Sequence, residues 1–390
     1  ATLARWFPEH LASLPPRRIG ELSPAVADVA RPIHCPQVRR GRLDLDHVPP
    51  PESEEFARLV GRARRRRDVT ITGTSSSTSE RSIAALGAAG VQVRLAAGAT
   101  APSGLDDRLV DQLREPVGCG ECEDELRSVR LRRLAHDRLW PGPSGRAVSV
   151  LLASHRPADI GPALRQLRAQ VDVEVQAVVG LHGDGWSAGA AAQLGPLPHG
   201  SSVARFDAAV PLGGVLDALA ERADCDLVTK WDDDDWYGRD HLADLVRAYD
   251  YSGADVVGKA AEFVWLEAPD LTVRRFAFGA ESYSSTVAGG TILTSGEWLR
   301  EIGGWEPIPR NVDLALLQAT RRCGGSSYRT HGFQYVLRRR SGDGHTWTAA
   351  DADFIDASVL RRDGLDLEMA DVADQGDTAG SEPGRVRHGE

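Results

Sequence analysis

The stretch Lys230-Trp231-Asp232-Asp233-Asp234-Asp235-Trp236-Tyr237-Gly238 decides how the rest of the chain is read. Four adjacent carboxylates repel one another, and holding them together costs stability wherever they are partly buried. The run follows Asp226-Leu227-Val228-Thr229, which reads as the end of a buried strand, and aromatic residues flank it. Solvated acidic runs sit in polar, low-complexity surroundings, and this one does not. A hard divalent cation bound through oxygen is the simplest partner for such a cluster: Mg²⁺, Mn²⁺ or Ca²⁺. The plain alternative is an acidic loop with no ligand.

Outward from the run, strands alternate with helices. A buried strand at 147–153 runs into Ser154-His155-Arg156-Pro157, and a helix follows at 159–170. A second buried strand at 173–181 ends in His182-Gly183-Asp184-Gly185. A helix at 212–222, a strand at 226–230, a helix at 239–249 and a strand at 254–258 continue the pattern. This spacing predicts an α/β fold with a mostly parallel sheet and flanking helices, binding ligands at the carboxyl ends of its strands. Ser154 to Pro157, His182 to Gly185 and Asp232 to Asp235 all fall at such ends, so three signals share one rim.

Four segments are expected. Residues 1–50, rich in Pro and Arg, read as a leader that wraps the surface. Residues 51–140 read as a small α/β accessory domain, with Ser53 as a helix N-cap and Gly90 closing a later helix. Its last helix, 124–139, carries Arg127, Arg130, Arg132, Arg133 and Arg138, read as a connector with solvated charges or an anion-binding face. The breaker Pro141-Gly-Pro-Ser-Gly145 marks the boundary, and the main domain spans 147–355. Residues 361–390 read as a disordered acidic tail.

Composition excludes several classes. The length of 390 residues suits two domains, and a net charge of −10 argues against a nucleic-acid groove. There is no apolar run long enough to span a membrane and no signal segment. The 5 cysteines are odd in number and scattered, with one lone C-x-x-C at Cys119 and Cys122, which suits free thiols in a reducing cytoplasm. Lysine occurs only at Lys230 and Lys259 in an Arg-rich chain, which marks them as sites where a compact ammonium is preferred, or as chance survivors.

From about residue 147 to 355 the chain resembles the family 2 glycosyltransferases of the GT-A fold. Val148 to Pro157 is similar to the opening strand and turn that these enzymes set against the nucleoside. Asp232-Asp-Asp-Asp235-Trp236 resembles their D-x-D-D motif, and Ala288-Gly-Gly-Thr291 the small-residue segment lining the sugar pocket. Asn311-Val312-Asp313 falls where the family usually shows paired carboxylates before an apolar helix, and His345-Thr-Trp347 resembles its late metal-binding histidine. The resemblance implies a metal-dependent, inverting transfer of a sugar from a nucleoside-diphosphate sugar, a UDP-sugar first, to a hydroxyl of a small molecule or glycan. It implies Mn²⁺ or Mg²⁺ held by Asp232, Asp234 and His345, with Asp313 as general base. For the nucleotide sugar, resemblance and rim position together give Ala153, Ser154, His155, Arg156, His182, Lys230, Asp233, Asp235, Lys259, Gly289 and Gly290. Two departures stand out: Val312 replaces the first carboxylate of the pair, and His182 stands where many members carry Asp.

Bland readings stay open beside these. Asp313 begins an apolar helix and suits a first-turn acid. Asp233 to Asp244 mimics a calcium-binding EF-hand loop, but Tyr237 is no such ligand and a strand precedes the run. A sugar-1-phosphate nucleotidyltransferase shares the sheet logic but usually opens with a Gly-rich loop, which Ala153 to Pro157 is not. A catalytically silent binding module on the same fold is the remaining alternative.

Overall fold

The computed structural model describes residues 42–63, 66, 68–72, 80–101, 104–115, 121–139, 143, 145–187, 189–275, 280–341 and 350–372. Residues 1–41 of the expected leader 1–50, Cys119, residues 373–390 and His345 lie outside them. The described end of that leader is corrected: Arg42–Leu45 forms a strand of the first sheet, and Leu45 and Val48 are buried rather than wrapped over the surface. No helix among the described residues is long and apolar enough to cross a membrane.

The chain opens with β1 (Arg42–Leu45), α1 (Glu54–Ala63), β2 (Asp68–Ile71), α2 (Glu80–Ala88), β3 (Val93–Leu95), α3 (Asp107–Arg114) and α4 (Glu121–Leu139). The three strands pair in parallel in the order β1-β2-β3. Ser53 caps α1 as expected, its Oγ accepting from Phe56 N at 3.1 Å, and Gly90 after α2 takes φ +74°. Phe56, Leu59 and Val60 of α1 meet Val69 and Ile71 of β2 in one apolar cluster.

Four of the five arginines of α4 are withdrawn from solvent, and Arg138 is exposed beside Glu80. Arg127 is buried and donates to Gln92 Oε1 at 2.9 Å and Val93 O at 2.9 Å. On another face of α4, Arg132 meets Glu281 at 3.3 Å and Arg133 meets Asp244 at 2.8 Å and Asp240 at 3.0 Å. The reading of α4 as a connector with solvated charges is therefore corrected for Arg127, Arg132 and Arg133, which turn inward, while Arg138 and Asp137 remain exposed.

Then follow β4 (Ala147–Ser154), α5 (Pro157–Arg168), β5 (Glu174–His182), α6 (Ala190–Gln193), β6 (Ser202–Phe206), α7 (Leu212–Ala220) and β7 (Leu227–Trp231). After the acidic run come β8 (Trp236–Tyr237), α8 (His241–Ser252), β9 (Val256–Lys259), β10 (Phe263–Leu266), β11 (Leu271–Arg275), β12 (Ser282–Tyr283), β13 (Leu293–Ser295) and α9 (Gly296–Glu301). The described chain closes with α10 (Val312–Arg322), β14 (Ser327–Thr330), β15 (Tyr335–Arg339), α11 (Asp351–Asp356) and β16 (Ser358–Asp363).

An eight-stranded sheet has the order β12-β14-β9-β13-β7-β4-β5-β6. Strands β7, β4, β5 and β6 run parallel, while β13 lies antiparallel between β7 and β9. The centre is β4, where Val148, Val150, Leu151 and Leu152 are all fully buried, because helices cover both faces of a parallel sheet. Pro157 starts α5, where its missing N–H and fixed φ fit the first turn. The mostly parallel α/β sheet expected from the sequence is thus present.

A second, five-stranded sheet has the order β16-β11-β10-β15-β8. The acidic run is the crossover between the sheets, leaving the first at β7 and entering the second at β8. The described part of the expected disordered tail, residues 361–372, is instead packed into the fold. Strand β16 pairs with β11, and Met369, Ala370 and Val372 pack with Phe263, Phe333 and Val336. Gln334 N donates to Ala370 O at 2.7 Å.

Three histidines sit in this core. Burial, aided by Arg247, holds His136 down to about 3, and burial and Lys259 hold His241 and His331 well below the usual range. The unfolded chain protonates these rings near pH 6.5 and the folded one does not, so stability falls as pH drops below that value. His136 alone costs about 1.4 kcal/mol between pH 7.5 and 5.5. Urea denaturation across that range should show the loss, and His136→Gln should flatten its slope.

Candidate active site

The carboxyl ends of β4 and β7 open into a cavity of about 230 Å³. Ala153, His155 and Arg156 line it after β4, Lys230 and Asp232 to Asp235 after β7, and Gly289, Gly290 and Asp313 from the far side. Residues scattered over more than 150 positions of sequence thus share one wall, roughly as the strand-end rule predicts.

The four acids do not point one way. Asp232 meets Lys230 Nζ, with Oδ1 at 2.9 Å. Asp233 accepts from Ser154 Oγ at 2.5 Å and Arg156 Nη1 at 3.0 Å. Asp234 accepts from Arg156 Nη1 and from Arg340 Nε, each at 3.1 Å. Asp235 accepts from Tyr335 Oη at 2.6 Å and Arg338 N at 2.9 Å. The carboxylates thus fan out, although Asp233 and Asp234 share Arg156. The premise that the cluster needs a foreign cation to be tolerable is corrected: Lys230, Arg156 and Arg340 already neutralise much of it.

Compensation is incomplete in the buried members. Burial lifts Asp233 to about 7, against the Ser154 hydrogen bond. Burial and then the charges of Asp232 and Asp234 hold Asp235 well above the usual carboxylate range. Burial also raises Asp232, with Lys230 opposing.

Lys230 is the second bridge. It is 5% exposed, and its Nζ also lies 3.2 Å from Asp313 Oδ1, joining the end of β7 to the first turn of α10. Tyr237 fixes the floor. Its Oη accepts from Asp232 N at 2.9 Å and donates to Gly290 O at 3.0 Å, and its ring stacks on Trp231 with centroids 3.8 Å apart. Gly289 and Gly290 lie directly under the two acids. A Cβ on Gly289 would stand 1.9 Å from Asp313 Oδ2, and one on Gly290 2.7 Å from Asp232 Oδ2.

Two expected contacts are absent from the cavity. Lys259 is fully buried and pairs with Asp244 at 3.2 Å, because the apolar end of β9 gives its ammonium no route to the rim. His182 turns to Val210 O, with Nε2 at 2.9 Å, and does not line the cavity. Ser154 is buried and reaches the site through Asp233. Tyr237, Tyr335, Arg338 and Arg340 were missed by the sequence reading. The triplet Arg338-Arg339-Arg340 was the signal for part of this set, since three adjacent cations seldom lack carboxylate partners.

The donor set was tested against a hard cation. Among the described residues no three His, Cys, Asp or Glu side chains converge as a metal cluster. Asp232 and Asp234 remain partly exposed, at 34% and 21% of their side chains, and both line the cavity. Mg²⁺-like ions use one or two carboxylates together with substrate phosphates and water, so these two acids fit such a site.

No family model matches the sequence, and no curated protein matches it. Among solved structures, the chain is similar to a mannosyltransferase, PcManGT, from Pyrobaculum calidifontis in complex with GDP-Man and Mn²⁺, at 15% identity and a TM-score of 0.38. That match covers 52% of this chain and 59% of the other. It is also similar to residues 1–349 of S. aureus TarS in complex with UDP-GlcNAc, at 14% identity and a TM-score of 0.39, covering 54% and 64%. The chain spans about six-tenths of the length of these structures.

The glycine floor makes a stability prediction. Gly289→Ala must push Asp313 aside and should cost about 1–3 kcal/mol. Gly61→Ala in α1, where nothing lies within 4 Å, should be neutral or stabilising by up to about 1 kcal/mol. Melting temperatures of the two variants check the contrast.

Proposed function

We propose that the protein is a glycosyltransferase that moves a sugar from a nucleoside-diphosphate sugar to an acceptor hydroxyl, with inversion and with a divalent cation. The observation that carries this reading is the single cavity shared by Asp232, Asp234 and Asp313, with Lys230 between Asp232 and Asp313. In this reading residues 147–355 bear the activity, as a GT-A domain of the family 2 type, and residues 51–140 serve as an accessory domain.

Breaking a sugar–phosphate bond needs negative charge stabilised on the departing diphosphate. Asp232 and Asp234 would hold Mn²⁺ or Mg²⁺, which when bound supplies Lewis-acid stabilisation of that leaving group. His345 is the further ligand in this proposal. The chain's own residues do the rest. Arg156 and Arg340, beside Asp234, add fixed positive charge near the diphosphate. His155 and Ala153 flank the nucleoside at the end of β4. Gly289 and Gly290, having no side chains, let Asp313 and Asp232 lie close over them on the cavity wall where the sugar is expected.

Asp313 takes the acceptor proton. An alcohol is a poor nucleophile at neutral pH, and a carboxylate within hydrogen-bond reach removes its proton as the new bond forms. The Lys230 ammonium keeps Asp313 oriented for this. With Asp313 taking its proton, the acceptor oxygen attacks the anomeric carbon on the face opposite the diphosphate, the bond to the diphosphate breaks, and the centre is inverted without a covalent sugar intermediate. The absence of a carboxylate at Val312 does not disturb this reading, because Val312 is buried in the apolar layer beneath α10. The same burial disfavours the reading as a silent module that had lost an exposed catalytic acid.

Thermal-shift measurements with UDP-, GDP- and dTDP-sugars, with and without Mn²⁺, test the proposal. One of them should raise the melting temperature in a metal-dependent way, and no such shift with any would refute it. Asp313→Asn should keep donor binding and lose about 10²–10⁴-fold in transfer rate. Asp234→Asn should weaken metal-dependent donor binding.

A further inference from the structure

We infer that Arg310 selects an acceptor that carries a carboxylate or phosphate beside the hydroxyl to be glycosylated. This rests on the transferase reading above and adds to it the chemical class of the acceptor. Arg310 lines the cavity and is exposed there. The other arginines on that wall are already held by carboxylates: Arg156 by Asp233 and Asp234, Arg338 by Glu267, and Arg339 by Asp351. The Arg310 guanidinium makes no hydrogen bond or ion pair among the described residues, and the side chain of its neighbour Asn311 makes none either.

The backbone that carries Arg310 is anchored on both sides. Its loop joins α9 to α10. Trp305 is buried, and its N donates to Asp217 Oδ1 of α7 at 3.0 Å. Ile308 O accepts from Gly213 N at 3.0 Å, and a Cβ on Gly213 would stand 1.7 Å from Glu306 O. Pro309 restricts the chain just before Arg310, Asn311 turns it at φ +60° just after, and Val312 is buried. The loop thus presents an unpaired guanidinium from a fixed base, which lowers the cost of ordering it on a ligand. The same loop leads into Asp313, and both residues line the cavity. The diphosphate is assigned above to the side of Arg156 and Arg340, and the nucleoside to the end of β4. Arg310 is left for the molecule that meets the base, which is the acceptor. A guanidinium grips a carboxylate or phosphate through two parallel N–H donors. Such a grip orients the acceptor's hydroxyl toward Asp313, and its positive charge offsets the repulsion between that carboxylate and an acidic acceptor.

The test uses the full chain saturated with Mg²⁺ and whichever of UDP, GDP or dTDP raises its melting temperature. Ligand-observed magnetic resonance then follows the binding of glycerol, glycerate and glycerol 3-phosphate. The wild-type protein should bind one of the two anions at least about tenfold more tightly than glycerol. Preference for glycerate marks a carboxylate on the acceptor, and preference for glycerol 3-phosphate marks a phosphate. Arg310→Gln should abolish that preference while the nucleotide's thermal shift persists, and Arg310→Lys should keep part of it. Equal binding of all three probes, no binding of either anion, or a preference that survives Arg310→Gln overturns the inference, while the nucleotide shift leaves the transferase reading standing. So does an Arg310-dependent preference for a uronic-acid donor over its neutral counterpart, which would place the anion on the donor. If no nucleoside diphosphate or nucleotide sugar shifts the melting temperature, the transferase reading falls and the inference with it.

Discussion

Four adjacent carboxylates at the crossover between two sheets are the constraint on which the rest of this structure depends. Like charges on neighbouring residues cannot all face one small space without partners. The chain meets this by spreading the acids over three regions: Lys230 of β7 with Asp313 of α10, the end of β4 through Ser154 and Arg156, and the β15 region through Tyr335, Arg338 and Arg340. The run is therefore a hub. Strand ends that sequence places far apart are drawn to one rim because each supplies a partner to it.

The two lysines show how such a hub shapes composition. Lys230 and Lys259 are the only lysines in the chain, and both are buried against carboxylates. A guanidinium is a wide, planar fork, whereas an ammonium is compact and has three donors. Lys230 needs that compactness because it serves Asp232 and Asp313 together in the space above Gly289 and Gly290. The sequence pointed to both positions. It did not separate the one at the cavity from the one behind it, since β7 and β9 each end in a buried Lys and differ only in what lies past the strand.

Most of the larger sheet was legible for a simple reason. Strands β4, β5 and β7 are mostly apolar and almost wholly buried, and helical segments separate them. The second sheet was not legible. Its β8 has two residues, β15 carries two arginines and β16 is largely exposed, so none shows a buried pattern by itself. Apart from the apolar β10, the core beside this sheet draws on residues far apart in sequence, such as Phe263, Phe333 and Met369, which meet only after folding. The partners of the acidic run were hidden likewise, because Tyr335, Arg338 and Arg340 reside on that illegible sheet. An acidic run whose partners include Tyr335 and Arg340, about a hundred residues away, looks less paired in one dimension than it is.

The same logic extends to α4. Arg133 meets Asp240 and Asp244, and Arg247 of α8 meets Asp137 at 2.7 Å, so the helix that follows the acidic run is joined to the three-stranded unit by buried charge. Burial alone would raise Asp244, yet Arg133, Lys259 and His331 hold it well below the usual range. Such pairs add little net stability, because desolvating both ions offsets most of their attraction. Their effect is selective. Any arrangement that moves α4 away leaves Asp244 with fewer cations in an apolar setting, which costs about 3–5 kcal/mol for a broken buried pair. Charge in this protein thus acts less as an adhesive than as a penalty on wrong arrangements, at α4 as at Lys230. The acidic run tolerates its own repulsion because the arrangements that would relieve it strand Lys230, Arg156 or Arg340 instead.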